Sequence, residues 1–309
     1  MYKLSSGVPS PRADLNELAD FVEIECLKNT QFSRNETIAA LGRLDENIDI
    51  SSKKIIERLE LKVDDVFSEF DFRINSCNNA YPFSFDSSGK VLKVKTDIDL
   101  STLYLYQFLL LATRLNMLNN KVHEGIDGTL LFEEISQQIL SNYLGLRAES
   151  FLFGTSNHGK SFEEKINTLC TSLNEGNGFI NRNEKSSGQI KDDSLDVVAW
   201  KPFSDNSAGK LIAFGQCKTG TTWQDTTAKL QPDSFCGSWF KDSPPVPPIR
   251  MFFVCEALLR NQWYTTVKKA GVLFDRCRIM DYYQEFSGEL LDKIKIWSDA
   301  ALKEQLNDM

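Results

Sequence analysis

The chain has 309 residues, 41% hydrophobic and 25% charged, with 17 Gly and 9 Pro, which excludes collagen-like, low-complexity and largely disordered proteins and leaves room for two domains. Its net charge of −8 divides evenly between residues 1–125 and the remainder, so global charge points to no nucleic-acid partner and leaves only a local basic cleft as a means of binding one. Seven dispersed cysteines without a C-x-x-C pair, and only two histidines, argue against zinc sites and histidine-based chemistry and leave oxygen ligands for any metal.

From the N-terminus, residues 13–27 place Leu15, Leu18, Ala19, Val22 and Cys26 on one helical stripe, and residues 33–44 open with a capping box of Ser33 and Glu36. The period predicts a further helix over 55–70. Residues 78–98 alternate in polarity around Ser87-Ser88-Gly89, which predicts a hairpin. Asp99 or Ser101 then caps an apolar helix through Leu118. Its most apolar stretch, 102–112, contains Gln107 and precedes Arg114, well short of the ~20 residues of a membrane span. Together with an N-terminus that has no apolar signal core, this predicts a cytoplasmic protein with reduced thiols and no membrane partner. The division of the chain is expected near 119–127, separating a mostly helical domain over 1–125 from a second domain over 126–309.

The second part alternates helix and strand. A helix over 130–144 stops at Gly145, a strand is expected over 147–153, a helix over 162–173, and strands over 195–203 and 211–218 flank the turn Ser204-Asp205-Asn206-Ser207-Ala208-Gly209. A helical stretch near 223–230 follows, then a Pro-rich segment and residues 249–256, an apolar run suited to a strand buried on both faces. A helix over 261–270, a short strand within 271–280 and a helix over 288–306 complete an α/β fold of three α/β/α layers with a mixed sheet.

The hairpin carries the chemistry. Asp196 opens one strand and Gln216-Cys217-Lys218 closes the next; alternation puts Gln216 and Lys218 on one side, where pairing brings Asp196 beside them. A carboxylate, an amide oxygen and the backbone carbonyl of Cys217 suit Mg²⁺ or Mn²⁺, and a lysine beside them suits phosphodiester hydrolysis. The Cys217 thiol points to the opposite, buried side and reads as packing. Lys229 is an alternative position for the lysine. An Asp and a Lys at strand ends also serve as ordinary solvated termini.

In these residues the chain resembles the PD-(D/E)xK nuclease superfamily of restriction-endonuclease-like fold, in particular its Mrr-like members with a Gln-x-Lys motif. The likeness covers roughly 128–285 and includes Phe132-Glu133, Ile139, Leu140 and Leu144-Gly145 on the preceding helix. Leu195 stands where the superfamily name has a proline, and Gln216 replaces a carboxylate. The resemblance implies that Asp196, Glu133 and Gln216 hold the metal, with Lys218 catalytic, in an endonuclease hydrolysing DNA. It further implies a prokaryotic anti-phage or restriction setting, an ATPase or helicase partner and a homodimer; the N-terminal domain has no comparable match and is expected to serve regulation, partner binding or target choice.

Two other readings stand beside it. Gly154, Gly159, Lys160 and Ser161 spell a G-x-x-x-x-G-K-S phosphate loop between a strand and a helix, the arrangement of a nucleotide-binding ATPase or switch; the same loop can equally approach DNA phosphate through Lys160. The fold can also serve as an inactive nucleic-acid-binding module. Trp223, Trp239 and Phe240 read as core or as stacking platforms, and Lys268, Lys269, Arg276 and Arg278 as a solvated basic face or phosphate contacts.

Overall fold

The computed structural model describes residues 1–4, 7–42, 53–154, 160–182 and 192–307. Helix α1 (Leu15–Asn29) ends at Thr30, whose φ of 66° reverses the chain into β1 (Gln31–Ser33). The expected capping box starts α2 (Arg34–Gly42): Glu36 N–H donates to Ser33 Oγ at 3.2 Å and Ser33 N–H donates to Glu36 Oε2 at 2.7 Å. After α3 (Lys53–Ser76), strands β2 (Phe83–Phe85) and β3 (Val91–Val94) form the expected hairpin, with β1 on its other side in the order β1-β3-β2. Asp99 caps α4 (Leu100–Arg114), accepting from the amides of Ser101 and Thr102. The helix does not continue to Leu118: Leu115 turns extended, and Leu118 is 87% exposed.

A two-stranded ribbon, β4 (Val122–His123) and β5 (Ile126–Asp127), lies where the division of the chain was expected. Then follow α5 (Gly128–Leu144), β6 (Glu149–Leu152), α6 (Phe162–Leu173), β7 (Val197–Lys201) and β8 (Leu211–Lys218). A single 3-10 turn at Gln224–Thr226 replaces the expected helical stretch, and an unexpected helix α7 (Pro232–Trp239) begins on its own proline, whose missing N–H a first turn does not need. The chain closes with β9 (Ile249–Val254), α8 (Arg260–Ala270), β10 (Val272–Phe274), α9 (Arg276–Asp281) and α10 (Gly288–Asn307). The strand expected within 271–280 is thus three residues long, because Asp275 accepts from Arg278 N–H at 3.0 Å and caps a helix there.

Five strands hydrogen-bond in the order β10-β9-β8-β7-β6. β7 runs antiparallel to both β6 and β8, whereas β8, β9 and β10 run parallel, giving a mixed sheet with the apolar β9 inside it. Alternation sorts its side chains into two layers. Val197, Ala199, Ala213, Met251 and Phe253 pack with Phe132, Ile135 and Ile139 of α5. On the other face Val198, Trp200 and Phe214 pack with Phe162 of α6 and Trp239 of α7, and Phe252 and Val254 pack with Trp223. Trp223, Trp239 and Phe240 are therefore core.

The first of these clusters runs continuously from α1 to α10, so residues on both sides of the expected division at 125/126 share one core. An ionic knot crosses the same boundary. Asp20 of α1 takes Arg73 Nη1 at 2.8 Å, Arg114 Nε at 2.7 Å and Arg276 Nη1 at 2.8 Å, all fully buried. Burial alone would raise the Asp20 carboxyl, but the guanidiniums of Arg276, Arg114 and Arg73 hold it well below the usual range. Arg276, read from the sequence as part of a basic surface, is instead the internal counter-charge of α1. Among the described residues no helix is long and apolar enough to cross a membrane.

Candidate active site

Asp196 sits immediately before β7 and is locked through its backbone to both neighbouring strands. Its N–H donates to Gly215 O at 3.0 Å, and its carbonyl accepts from the amides of Phe153 and Gly154, each at 2.8 Å. The register pairs Val197 with Gly215, which sets Asp196 beside Gln216 as alternation predicted. Asp196 Oδ2 accepts from the N–H of Cys217 at 2.7 Å. The residue is only 5% exposed. Burial lifts its pKa from 3.8 to about 7, against the Lys218 ammonium and the Cys217 amide, which favour ionisation; Asp192 adds to the rise.

Glu133 reaches the same place from α5, which packs across β6, β7 and β8. Its carboxylate rests against Gly154: a Cβ at that position would collide with the Glu133 oxygens. Because the Gly154 amide is bonded to Asp196, the missing side chain is what lets the two acids approach. Lys218 ends β8 half-buried. Thr129, Glu133, Asp192, Asp196, Cys217 and Lys218 line one cleft of about 430 Å³, together with Lys3 and residues 219–222.

The structure thus gathers Glu133, Asp196, Cys217 and Lys218 on one cleft. Gln216 is adjacent in the ladder but 1% exposed, and it is not among the described residues lining the cleft. Neither oxygen nor nitrogen of its amide has a hydrogen-bond partner among the described residues, a costly state for a buried carboxamide. The Cys217 thiol is buried and pushed well above its ordinary range by that burial and by the Asp196 charge, so it is no nucleophile. Lys229 is exposed and away from the lining.

Among the described residues no group of three His, Cys, Asp or Glu side chains is placed to hold a metal ion unaided. Two carboxylates, one of them raised by its burial, nevertheless fit Mg²⁺, a hard ion that takes one or two carboxylates and completes its shell with water or substrate phosphate. That fit rests on Asp196 and Glu133, with the carbonyl of Cys217 as a backbone donor; Gln216, expected from the sequence as a further ligand, lies outside the lining.

Three functional side chains were missed. Lys165 of α6 is buried and donates from Nζ to Gly154 O at 2.9 Å; burial lowers its pKa, while Asp192, Glu133 and Asp196 oppose the fall. A lysine on the apolar stripe of Phe162, Ile166 and Leu169 was the available signal. Lys3, which donates from Nζ to Thr113 O at 3.1 Å and Leu115 O at 3.2 Å, and Asp192 had none, since tertiary packing alone brings them to the cleft.

The described flanks of the phosphate-loop string differ from those of a nucleotide cradle. Its residues 155–159 lie outside the described residues. The strand before it, β6, is an antiparallel edge strand. Glu133 occupies the space at Gly154, and Ser161 Oγ accepts from Glu164 N–H at 3.2 Å in a capping box that sets a carboxylate at the helix N-terminus. The chain matches no protein-family model, no curated protein and no solved structure.

Proposed function

We propose that the protein is a Mg²⁺-dependent endonuclease hydrolysing DNA phosphodiester bonds, on a restriction-endonuclease-like core. One observation carries the reading: Glu133, Asp196 and Lys218, from three separate elements, line a single cleft beside a buried, unsatisfied Gln216 amide. Asp196 and Glu133 would hold the cation, with the Cys217 carbonyl beside them. When bound, Mg²⁺ supplies positive charge against the negative charge that builds on the phosphate in the transition state.

The chain's own groups do the rest. Lys218 presents its ammonium beside Asp196, where it orients the attacking water or the scissile phosphate. Lys165, bonded to the Gly154 carbonyl, offsets part of the burial and of the Asp192 charge that favour the protonated form of Asp196. Lys3, in the same lining, adds a second ammonium for the phosphate backbone. Two such clefts in a homodimer suit cleavage of both strands. An ATPase or helicase partner and a role in prokaryotic defence belong to the same reading.

The test is Mg²⁺-dependent cleavage of plasmid and oligonucleotide DNA by the full chain, with EDTA as the metal-free control. Asp196→Ala and Lys218→Ala should each slow cleavage about a hundredfold or more. Equal rates for the wild type and both variants would overturn the proposal.

A further inference from the structure

Helix α8, with the sequence Arg-Asn-Gln-Trp-Tyr-Thr-Thr-Val-Lys-Lys-Ala, contains no acidic residue, although the chain carries 43 Asp and Glu against 35 Lys and Arg. One side of it, Asn261, Gln262, Thr265, Thr266 and Lys269, forms a groove of about 310 Å³ with Trp223, Gln224 and Thr227. Those last three residues belong to the loop that leaves β8. Its beginning, residues 218–222, lines the cleft of Asp196, and its next residues line the groove, so the two sites are joined by one connection. Trp223 pins that loop by donating from Nε1 to Glu256 Oε2 at 2.7 Å.

From this continuity we infer that the groove between α8 and residues 223–227 is a binding track for the single-stranded DNA that leaves the cleft. The choice of DNA rests on the nuclease reading; the groove itself stands on its own chemistry. Carboxamides offer a donor and an acceptor together, as base edges require, and Lys269 offers an ammonium to phosphate. On the flank, Tyr264 is 70% exposed and carries the Lys268 ammonium 4.4 Å from its ring centre, a cation and an aromatic face of the kind on which bases stack. An exposed ring and carboxamides suit a single strand, whose bases are unpaired and free to stack and to offer their edges.

The full-length double variant Gln262→Glu/Lys269→Glu tests this by fluorescence anisotropy with labelled single-stranded DNA in EDTA. Both positions are exposed, so the thermal midpoint should not move. Affinity should fall about tenfold or more, and the slope of log affinity against log salt should become shallower by about 1. Hydrolysis of bis-p-nitrophenyl phosphate with Mg²⁺, which reports the cleft alone, should be unchanged by the double variant. Unaltered DNA affinity in the variant, no DNA affinity in the wild type, or binding of RNA and not DNA would each overturn the track. Groove-dependent DNA binding without Mg²⁺-dependent hydrolysis would leave the track standing and remove the nuclease reading.

Discussion

Substituting Asp196→Asn isolates the energetic consequence of burying an acid in the candidate site. Its carboxyl is raised from 3.8 to about 7, so the unfolded chain gives up this proton near pH 4 while the folded chain keeps it to neutrality. Between those values the unfolded state binds fewer protons, and stability falls as pH rises by about 1.4 kcal/mol per pH unit. Above the folded value both states are ionised and the loss is complete. The interval from 3.8 to about 7 corresponds to about 4 kcal/mol. A carboxamide keeps an acceptor for the Cys217 N–H, now donating to Oδ2 at 2.7 Å, and carries no charge. Urea unfolding in EDTA, compared between wild type and variant so that other titrating groups cancel, should show nearly equal stabilities at about pH 4 and a variant more stable by about 3–4 kcal/mol at about pH 7.5. Mg²⁺ added at the higher pH should stabilise the wild type and leave the variant unmoved. A stability difference that stays constant over this range would refute the reasoning, because the carboxyl would then ionise as freely in the folded chain as in the unfolded one.

Removing Asp20 by Asp20→Ala leaves the buried guanidiniums of Arg73, Arg114 and Arg276 without their shared partner and should cost about 3–5 kcal/mol in urea unfolding; a loss below about 1 kcal/mol would show that the knot is not a structural link. Because the Asp20 carboxyl is held below its usual range, its contribution is present above the ordinary carboxyl range and disappears in acid, so Asp20→Asn should flatten the acid limb of the stability profile. Gly154→Ala drives a Cβ into the Glu133 carboxylate and should weaken the thermal stabilisation by Mg²⁺ while the metal-free fold persists; an unchanged Mg²⁺ response would separate Glu133 from the cation. Lys165→Met takes away an ammonium that favours the ionised form of Asp196 and should move the upper end of the Asp196 stability slope to higher pH, with no movement counting against Lys165 as the internal counter-charge.

The pairing of Asp196 with Gln216 was readable because a strand repeats every two residues and the turn between the strands sets their register. The caps at Ser33 and Asp99 were equally local. Apolar character misled where backbone and side chain disagree: residues up to Leu118 look helical, yet Leu115 turns extended, and its carbonyl and that of Thr113 receive Lys3. The partner of Arg276 could not be read at all, since Asp20 lies 256 residues away and no periodicity connects them.

Composition, period and turn chemistry therefore determined the local elements and the side chains that share a strand face: the amphipathic helices, the β7–β8 hairpin and the order Asp, Gln, Lys along it. Tertiary structure alone decided that Glu133 meets Asp196 across Gly154, that Lys165 is buried behind them, that Lys3 closes the cleft and that α1 shares its core with the sheet. Hydrogen-bond periodicity acts between near neighbours and leaves its trace in spacing. Close packing and ion pairing between distant segments are fixed by shape and charge in three dimensions, and so leave no repeat along the chain.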